Sequence, residues 1–412
     1  MRRETLDARK MGMRRETLDA RKLDARRETI AESHASRLSP RRVSGLTSRA
    51  PWTIARLGEA TVMKRGKYIT RNSVRPGNVP VILGGQEPAY YCDEANHAGP
   101  CIVISRSGAS AGFVSYWDQP IFVTDGFLFE ANEKSNIRYL YYCLKANQSL
   151  LGHMQNGTGI PHVRGEELKA FEIPLPPLPI QQRIADILSA YDDLIENNRR
   201  RIAILEETAR LAYRKWLKEN NNSLKSTRIG DLIELQSGFA FKSNTFVAKG
   251  KYKIITIKNV KDVVVDGENV SYVDDVPERM PQHCYIHSGD ILLSLTGNVG
   301  RVSVSIDEDG LLNQRVAKVK SDFHWFSLLF LTSTDVFCRM NNLAVGAAQQ
   351  NLSPVKFCNE MFELPEHSEM ALINELVEPL FEQIVSVARF SSKLAAARDM
   401  LLPRLMKGDV VL

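Results

Sequence analysis

"FEIPLPPLPIQQRIADIL", residues 171–188, joins two segments of opposite character. Its four prolines, Pro174, Pro176, Pro177 and Pro179, withhold backbone donors and push the residues before them into extended conformations. After Pro179 neither glycine nor proline occurs up to Lys218. The stretch therefore predicts an extended strand that stops at a stiff elbow, with a helix allowed to start only after Pro179. A looser copy, "FELPEHSEMALINELV", occupies residues 362–377. One such junction marks a domain boundary; two predict a protein built twice.

Other motifs repeat in the same order. "CIVISRSGASAGFVS" from Cys101 resembles "DILLSLTGNVGRVSVS" from Asp290, with Ser105 and Gly108 lying 189 positions before Ser294 and Gly297. "NGTGIPHVRGEELKAFEIP" from Asn156 matches "AVGAAQQNLSPVKFCNEMFELP" from Ala344, placing Gly157 opposite Gly346. "RLGEA" at Arg56 answers "RIGDL" at Arg228. Each half reads as a β-rich stretch, a short helical segment, a glycine-rich loop, the elbow and a long helix. The expected fold class is α+β: two similar β-rich domains with short helices, joined by two long helices in an antiparallel coiled coil, with a pseudo-two-fold repeat.

The helices carry heptad columns. Ile184, Tyr191, Asn198 and Leu205 form one, and Leu188, Ile195 and Ile202 its companion; the second copy gives Ile373, Leu380, Val387, Leu394 and Leu401, with Ile384 beside them. Such a stripe must be covered, and its own repeat is the nearest partner. A homodimeric coiled coil is the competing arrangement. Asn198 reads as a register device, and Pro379 is expected to kink the second helix or split off its first turn. Expected boundaries are 1–50 for an N-terminal extension, 51–178 and 223–366 for the two domains, 179–222 and 367–406 for the helices, and 407–412 for a tail.

The bulk composition excludes several classes. The chain of 412 residues has no apolar run near the ~20 residues of a membrane span. No secretory signal is visible. Its six cysteines are scattered without a C-x-x-C pair, which reads as reduced cytoplasmic thiols. Residues 1–50 hold 14 Lys/Arg against 7 Asp/Glu, so the overall charge of +6 belongs to this segment and the remainder stands at −1. The segment repeats "MRRETLDARK" at Met1 and Met13 and reads as disordered or loosely helical. No P-loop, no Asn-Pro-Pro-aromatic methyltransferase tetrapeptide and no metal-ligand cluster is found. "EELK" at Glu166–Lys169 reads as a solvated helix start, and His97 and His162 as lone histidines.

What remains is binding. Half one offers Lys64, Arg65, Lys67, Tyr68, Arg71, Asn72 and Arg75 in a loop-like stretch, Arg106 and Ser107 in the glycine turn, then His162 and Arg164. Half two offers Lys242, Lys258, Asn259, Lys261, Asn298, Arg301, Asn313, Gln314, Arg315, Gln349, Gln350 and Asn351. Arg, Asn and Gln are the side chains that read guanine and adenine edges bidentately, while Lys mostly holds phosphate.

"PLPPLPIQQRIADILSAYDDLIENNRRRI", "GDILLSLTGNVG" and "GAAQQNLSPVKF" resemble the specificity subunit of type I restriction–modification systems, over roughly Trp52 to Met406. "LPEHSEM" and Pro379 depart from that family's pattern. The resemblance implies a subunit without catalysis whose two domains each read half of a bipartite double-stranded DNA site, with the coiled coil as ruler of the gap. It implies two methyltransferase subunits that methylate adenine with S-adenosylmethionine, and a restriction subunit using ATP and Mg2+. No cofactor of its own is expected. An orphan specificity protein serving only modification, a partial one that assembles as a dimer, a relic enzyme and a coiled-coil adaptor without DNA are the alternatives.

Overall fold

The computed structural model describes residues 52–71, 74–154, 161–220, 224–261, 263–267, 270–306, 308–346 and 349–410, and the repeat is visible in it, with one strand added in half two. Half one runs β1 (Thr53–Arg56), α1 (Leu57–Ala60), β2 (Thr61–Arg65), β3 (Val79–Ile82), β4 (Tyr90–Cys92), β5 (Cys101–Ser105), β6 (Val114–Trp117), β7 (Phe122–Val123), β8 (Gly126–Ala131), α2 (Ile137–Ala146), α3 (Gln148–His153), α4 (Gly165–Ala170), β9 (Glu172–Leu175) and α5 (Leu178–Glu219). Half two runs β10 (Lys225–Arg228), α6 (Ile229–Leu232), β11 (Glu234–Ser237), β12 (Tyr252–Ile255), β13 (Ser271–Val273), β14 (Tyr285–Ile286), β15 (Ile291–Ser294), β16 (Val302–Val304), β17 (Gly310–Leu312), β18 (Val316–Lys320), α7 (His324–Leu331), α8 (Thr334–Leu343), α9 (Pro354–Cys358), β19 (Met361–Leu364) and α10 (His367–Met406). The expectations for residues 1–50, Asn72 and Gly157 lie outside the described residues.

Each domain has a four-stranded sheet in the same order, β2-β8-β5-β6 and β11-β18-β15-β16. The central strands β5 and β15 are buried at every position, which is why both read as unbroken apolar runs closing on a serine. A second sheet follows the same scheme, β4-β3-β7 against β13-β12-β17, to which half two adds β14. Each domain opens and closes on one antiparallel ribbon: Thr53 faces Leu175 in β1·β9, and Lys225 faces Leu364 in β10·β19. The opening ribbons lie 172 positions apart and the closing ones 189, so half two carries 17 extra residues between them.

The elbow is organised by one buried carboxamide. Gln181 is fully buried; its Nε2 donates to Pro176 O at 2.7 Å and to Lys134 O at 3.1 Å, while its Oε1 accepts from Asn136 N at 2.8 Å. It thus satisfies a carbonyl of the proline run, which has no ladder partner, and caps the start of α2. Pro177 is the N-cap of α5, which starts at Leu178 with Pro179 inside its first turn, slightly earlier than the sequence suggests. A proline in the first turn loses no intrahelical bond. In half two Asn374, two turns into α10, does the capping part of this work by accepting from Trp325 N at 2.8 Å and Phe326 N at 3.2 Å at the start of α7.

Helices α5 and α10 have 42 and 40 residues, about 60 Å each at ~1.5 Å per residue. They pair antiparallel within the chain. Ile184 and Leu188 of α5 share the first domain's core with Leu405 and Met406 of α10, and Ala209 and Tyr213 share the second domain's core with Ile373, Val377, Phe381 and Ile384. Every expected seam residue is buried or half-buried: Ile184, Leu188, Ile373 and Ile384 fully, Tyr191, Ile195, Asn198, Ile202, Leu205, Leu380, Val387, Leu394 and Leu401 partly. Between the two cores the link turns polar, with Arg398 Nη1 on Asp192 Oδ1 at 2.5 Å and Arg201 Nη2 on Gln383 Oε1 at 2.9 Å. Pro379 does not split α10, which is continuous from His367 to Met406. The proline is exposed, so the carbonyl it leaves free can bond water, while Val377 and Phe381 anchor the turns on either side.

Asn198 Nδ2 is buried without a hydrogen-bond partner. Replacing it by leucine removes an unsatisfied donor and extends the seam, so Asn198→Leu should raise stability by about 1–2 kcal/mol. A urea midpoint at or below that of the parent chain would contradict this account of the seam. A second expectation concerns thiols. Cys92, Cys101, Cys143 and Cys284 are buried and free, and burial pushes Cys101 and Cys143 up to about 12, whereas Cys338 on α8 is exposed. Ellman's reagent should modify Cys338 in the native protein and Cys101 and Cys143 only on unfolding; their equal reactivity in the native state would refute the core assignment.

Candidate nucleic-acid interface

In both domains the hairpin after the central strand is pinned to the glycine-rich loop that precedes the elbow. Gly108 and Gly297 sit at φ +84° and +75°, a left-handed conformation that glycine adopts without strain. Gly108 N donates to Pro161 O and Gly297 N to Gln350 O, both at 3.0 Å. Val163 N donates to Arg106 O at 2.9 Å and Leu352 N to Leu295 O at 2.8 Å. Ser107 bridges His162, and Thr296 bridges Asn351. Every one of these pairs recurs at a spacing of 189, so the two sites are one backbone frame used twice.

The side chains on that frame differ. In the first domain Asp125, just before β8, gathers its neighbours: Arg106 Nη1 stands 3.5 Å from Oδ1, and Ser107 Oγ donates to Oδ2. Arg106 N also donates to Asp125 O at 3.2 Å. In the second domain Leu295 N makes the matching bond to Arg315 O at 2.9 Å. At the residue that accepts this bond the frame therefore carries a carboxylate in one half, held by Arg106 and Ser107, and a guanidinium in the other. Arg315 Nη1 holds Gln349 Oε1 at 3.2 Å, and Thr296 Oγ1 donates to Asn351 Oδ1 at 2.8 Å. Asn298 is exposed at the tip of the same hairpin, with Gln314 and Gln350 exposed beside it. Asp125 and Thr296 escape a search for cations and amides; only the backbone bonds of the frame reveal them.

The structure sorts the other candidates. Lys67, Tyr68, Arg71 and Arg75 are exposed on the connection between β2 and β3, with Tyr68 89% accessible. Lys64 and Arg65 lie on edge strand β2, where Lys64 Nζ pairs with Glu130 at 2.8 Å; His97 Nδ1 approaches the same carboxylate at 3.3 Å. Arg164 is exposed near Glu167 of α4, at 3.9 Å. Lys242 and Lys258 are exposed, and the half-buried Asn313 donates its backbone N to Ile255 O at 3.1 Å.

Two groups are displaced from the frame. Lys261, paired with Asp266, and Arg301 line a cleft closed by Glu206 and Arg210 of α5, so they face the spacer. Asn259, expected among the exposed amides, is buried. It is 3% exposed, its Oδ1 accepting from Thr256 N at 3.0 Å and Oγ1 at 2.9 Å while Nδ2 donates to Asp266 O at 3.0 Å. Three of the four hydrogen bonds its carboxamide can make close this loop, which makes it a buried strut and not an exposed reader. Among the described residues no group of three His, Cys, Asp or Glu could hold a metal, and no helix is long and apolar enough to cross a membrane.

Comparison with known proteins agrees with this architecture. The chain is 24% identical over 416 residues to the type I restriction enzyme MjaVIII specificity subunit of Methanocaldococcus jannaschii, covering 90% of this chain and 95% of that one. It is 24% identical over 340 residues to the MjaIX specificity subunit of the same organism, covering 75% and 77%. The crystal structure of a type I restriction–modification S subunit from M. genitalium superposes with a TM-score of 0.60 at 18% identity, over 88% of this chain and 97% of that one, which shows a shared fold. The family profile described as "Type I restriction modification DNA specificity domain" matches twice, at residues 50–207 and 221–388. These two matches fall on the two structural repeats, and the chain belongs to the family of type I restriction–modification DNA specificity proteins.

Proposed function

We propose that the chain is the DNA-recognition subunit of a type I restriction–modification complex, with each domain reading one half of a bipartite double-stranded site. The observation that carries this reading is the duplicated frame with unlike side chains. A shared backbone supports shared docking geometry, while Asp125 in one half and Arg315 in the other support different bases. A guanidinium suits the O6 and N7 acceptors of guanine, and a carboxylate accepts from the amino group of cytosine. Lys67, Arg71 and Arg75 supply phosphate contacts around the first frame.

The paired helices set the gap. The two apolar joints, at Leu188 and Ala209 of α5, are roughly 30 Å apart along the helix, close to one turn of B-DNA. Equivalent surfaces on the two halves suit two copies of one methyltransferase partner. The catalytic steps, adenine methylation with S-adenosylmethionine and cleavage by a restriction subunit using ATP and Mg2+, are assigned to these partners, and the assembly to the cytoplasm. The family assignment and the overall α+β scaffold support this division of labour.

The test is methylation mapping of DNA treated with the reconstituted complex. Exchanging residues 52–170 for those of a relative should change one half of the methylated motif and leave the other half and the gap unchanged. Arg315→Ala should weaken binding by about 1–3 kcal/mol and relax the second half-site alone. Asn259→Ala should lower thermal stability yet leave the motif of the folded complex intact. A motif that changes in both halves on domain exchange, or no split motif at all, would refute the reading.

A further inference from the structure

At one set of matching positions the two joints between domain and spacer use opposite chemistry. In the first, Tyr142 Oη of α2 donates to Asp192 Oδ2 of α5 at 2.6 Å, and Arg398 Nη1 of α10 donates to Asp192 Oδ1 at 2.5 Å. Arg398 also holds Asp399 through Nη2 at 2.8 Å. One carboxylate thereby ties the recognition domain to both spacer helices at once. Moved by the repeat of 189, Tyr142 becomes Leu331 and Asp192 becomes Phe381; moved the other way, Arg398 becomes Ala209. These three are 0%, 2% and 0% exposed and belong to one apolar core, where Phe381 stacks on Trp325 with ring centroids 5.0 Å apart.

The difference has a mechanical meaning. Apolar contact is non-directional and scales with area, so at these matching positions the second domain is held without a directional bond; its directional ties to α10 lie elsewhere, from Asn374 to the start of α7 and from Arg389 to Glu308. Charge-assisted hydrogen bonds are directional and fix geometry. Asp192 and Arg398 keep side-chain exposures of 31% and 27%, enough for water to compete if the geometry opens. Around them, Arg138 of α2 stands 4.0 Å from Asp193 and donates to Tyr116 Oη at 3.3 Å.

We infer that Tyr142, Asp192 and Arg398 are positioning residues, a polar lock that sets the angle of the first domain on the spacer and can form only between unlike halves. If two copies of α5 paired with each other in the geometry of α5 with α10, Asp192 would face Ala209 of the second copy in place of Arg398, and the adjacent Arg210 is already paired with Glu206 of its own helix. The lock therefore also discriminates against pairing of like halves. Its effect on half-site spacing rests on the DNA-recognition reading; the lock itself does not.

The experiment measures joint geometry in the full chain by pulsed dipolar spectroscopy. One spin-label pair, Ser149→Cys with Glu207→Cys in a background of Cys338→Ser and Cys358→Ser, spans the first joint. A second pair, Asn197→Cys with native Cys338 in a Cys358→Ser background, spans the second. Arg398→Met should broaden the first distance distribution roughly twofold and leave the second unchanged, with partial rescue by Arg398→Lys. Tyr142→Phe removes a single hydroxyl from a packed ring, so it tests the lock even if Arg398→Met fails to fold, and it should broaden the first distribution to a lesser degree. High salt should broaden the first distribution in the parent chain more than in Arg398→Met, which has already lost the ion pair. Unchanged first-joint distributions in the folded variants, or equal broadening at both joints, would overturn the proposal. Methylation mapping with the same variants should show relaxed gap selectivity with both half-site sequences intact; if the parent complex reads no bipartite site, the functional reading fails while the spectroscopy still decides the lock.

Discussion

An amphipathic helix of 42 residues cannot leave its apolar stripe in water, and the rest of this molecule follows from how that stripe is covered. The covering element is the same helix in the second copy, run antiparallel. That choice places the start of each helix beside the end of the other, so each domain core is completed by residues from both. Ile184 and Leu188 meet Leu405 and Met406 under the first domain; Ala209 and Tyr213 meet Ile373 and Phe381 under the second. The spacer is therefore an integral wall of both domains, and the recognition frames inherit its rigidity.

The duplication was legible in the sequence because its most constrained positions are the ones backbone geometry enforces. Ser105 and Ser294 are buried at the ends of central strands, and Gly108 and Gly297 occupy left-handed turns; neither role tolerates much drift. The heptad columns were legible for the same reason, since a seam needs apolar side chains at fixed intervals. Gln181 and Asn374 were not. A glutamine or asparagine in the first turns of a helix reads as solvated surface, and its task here is defined by partners 45 and 49 residues upstream, Asn136 in one half and Trp325 in the other.

The candidate site was half legible. Residue type told which side chains could read a base, and several of them do share the hairpin frame: Arg106, Ser107 and His162 on one copy, Asn298, Arg315, Gln349 and Asn351 on the other. Burial was the missing information. Asn259 has the chemistry of a reader and the position of a loop strut, and Lys261 and Arg301 point to the spacer cleft. Asp125 was invisible to a search for cations, although it is the residue on which the first cluster converges.

The sharing of cores also has a consequence for how the chain comes to be folded. Leu405 and Met406 are buried in the first domain's core, and Trp52 packs near Gly408, its Cζ2 3.2 Å from where a β-carbon there would stand. Nearly two hundred residues separate these side chains from the end of α5. At ~5–20 residues per second, a ribosome needs on the order of 10–40 s to make them. During that interval the first domain has an open apolar wall and an arginine-less Asp192, so it is the part of the nascent chain that stands most to gain from a chaperone, even though it is the first to emerge.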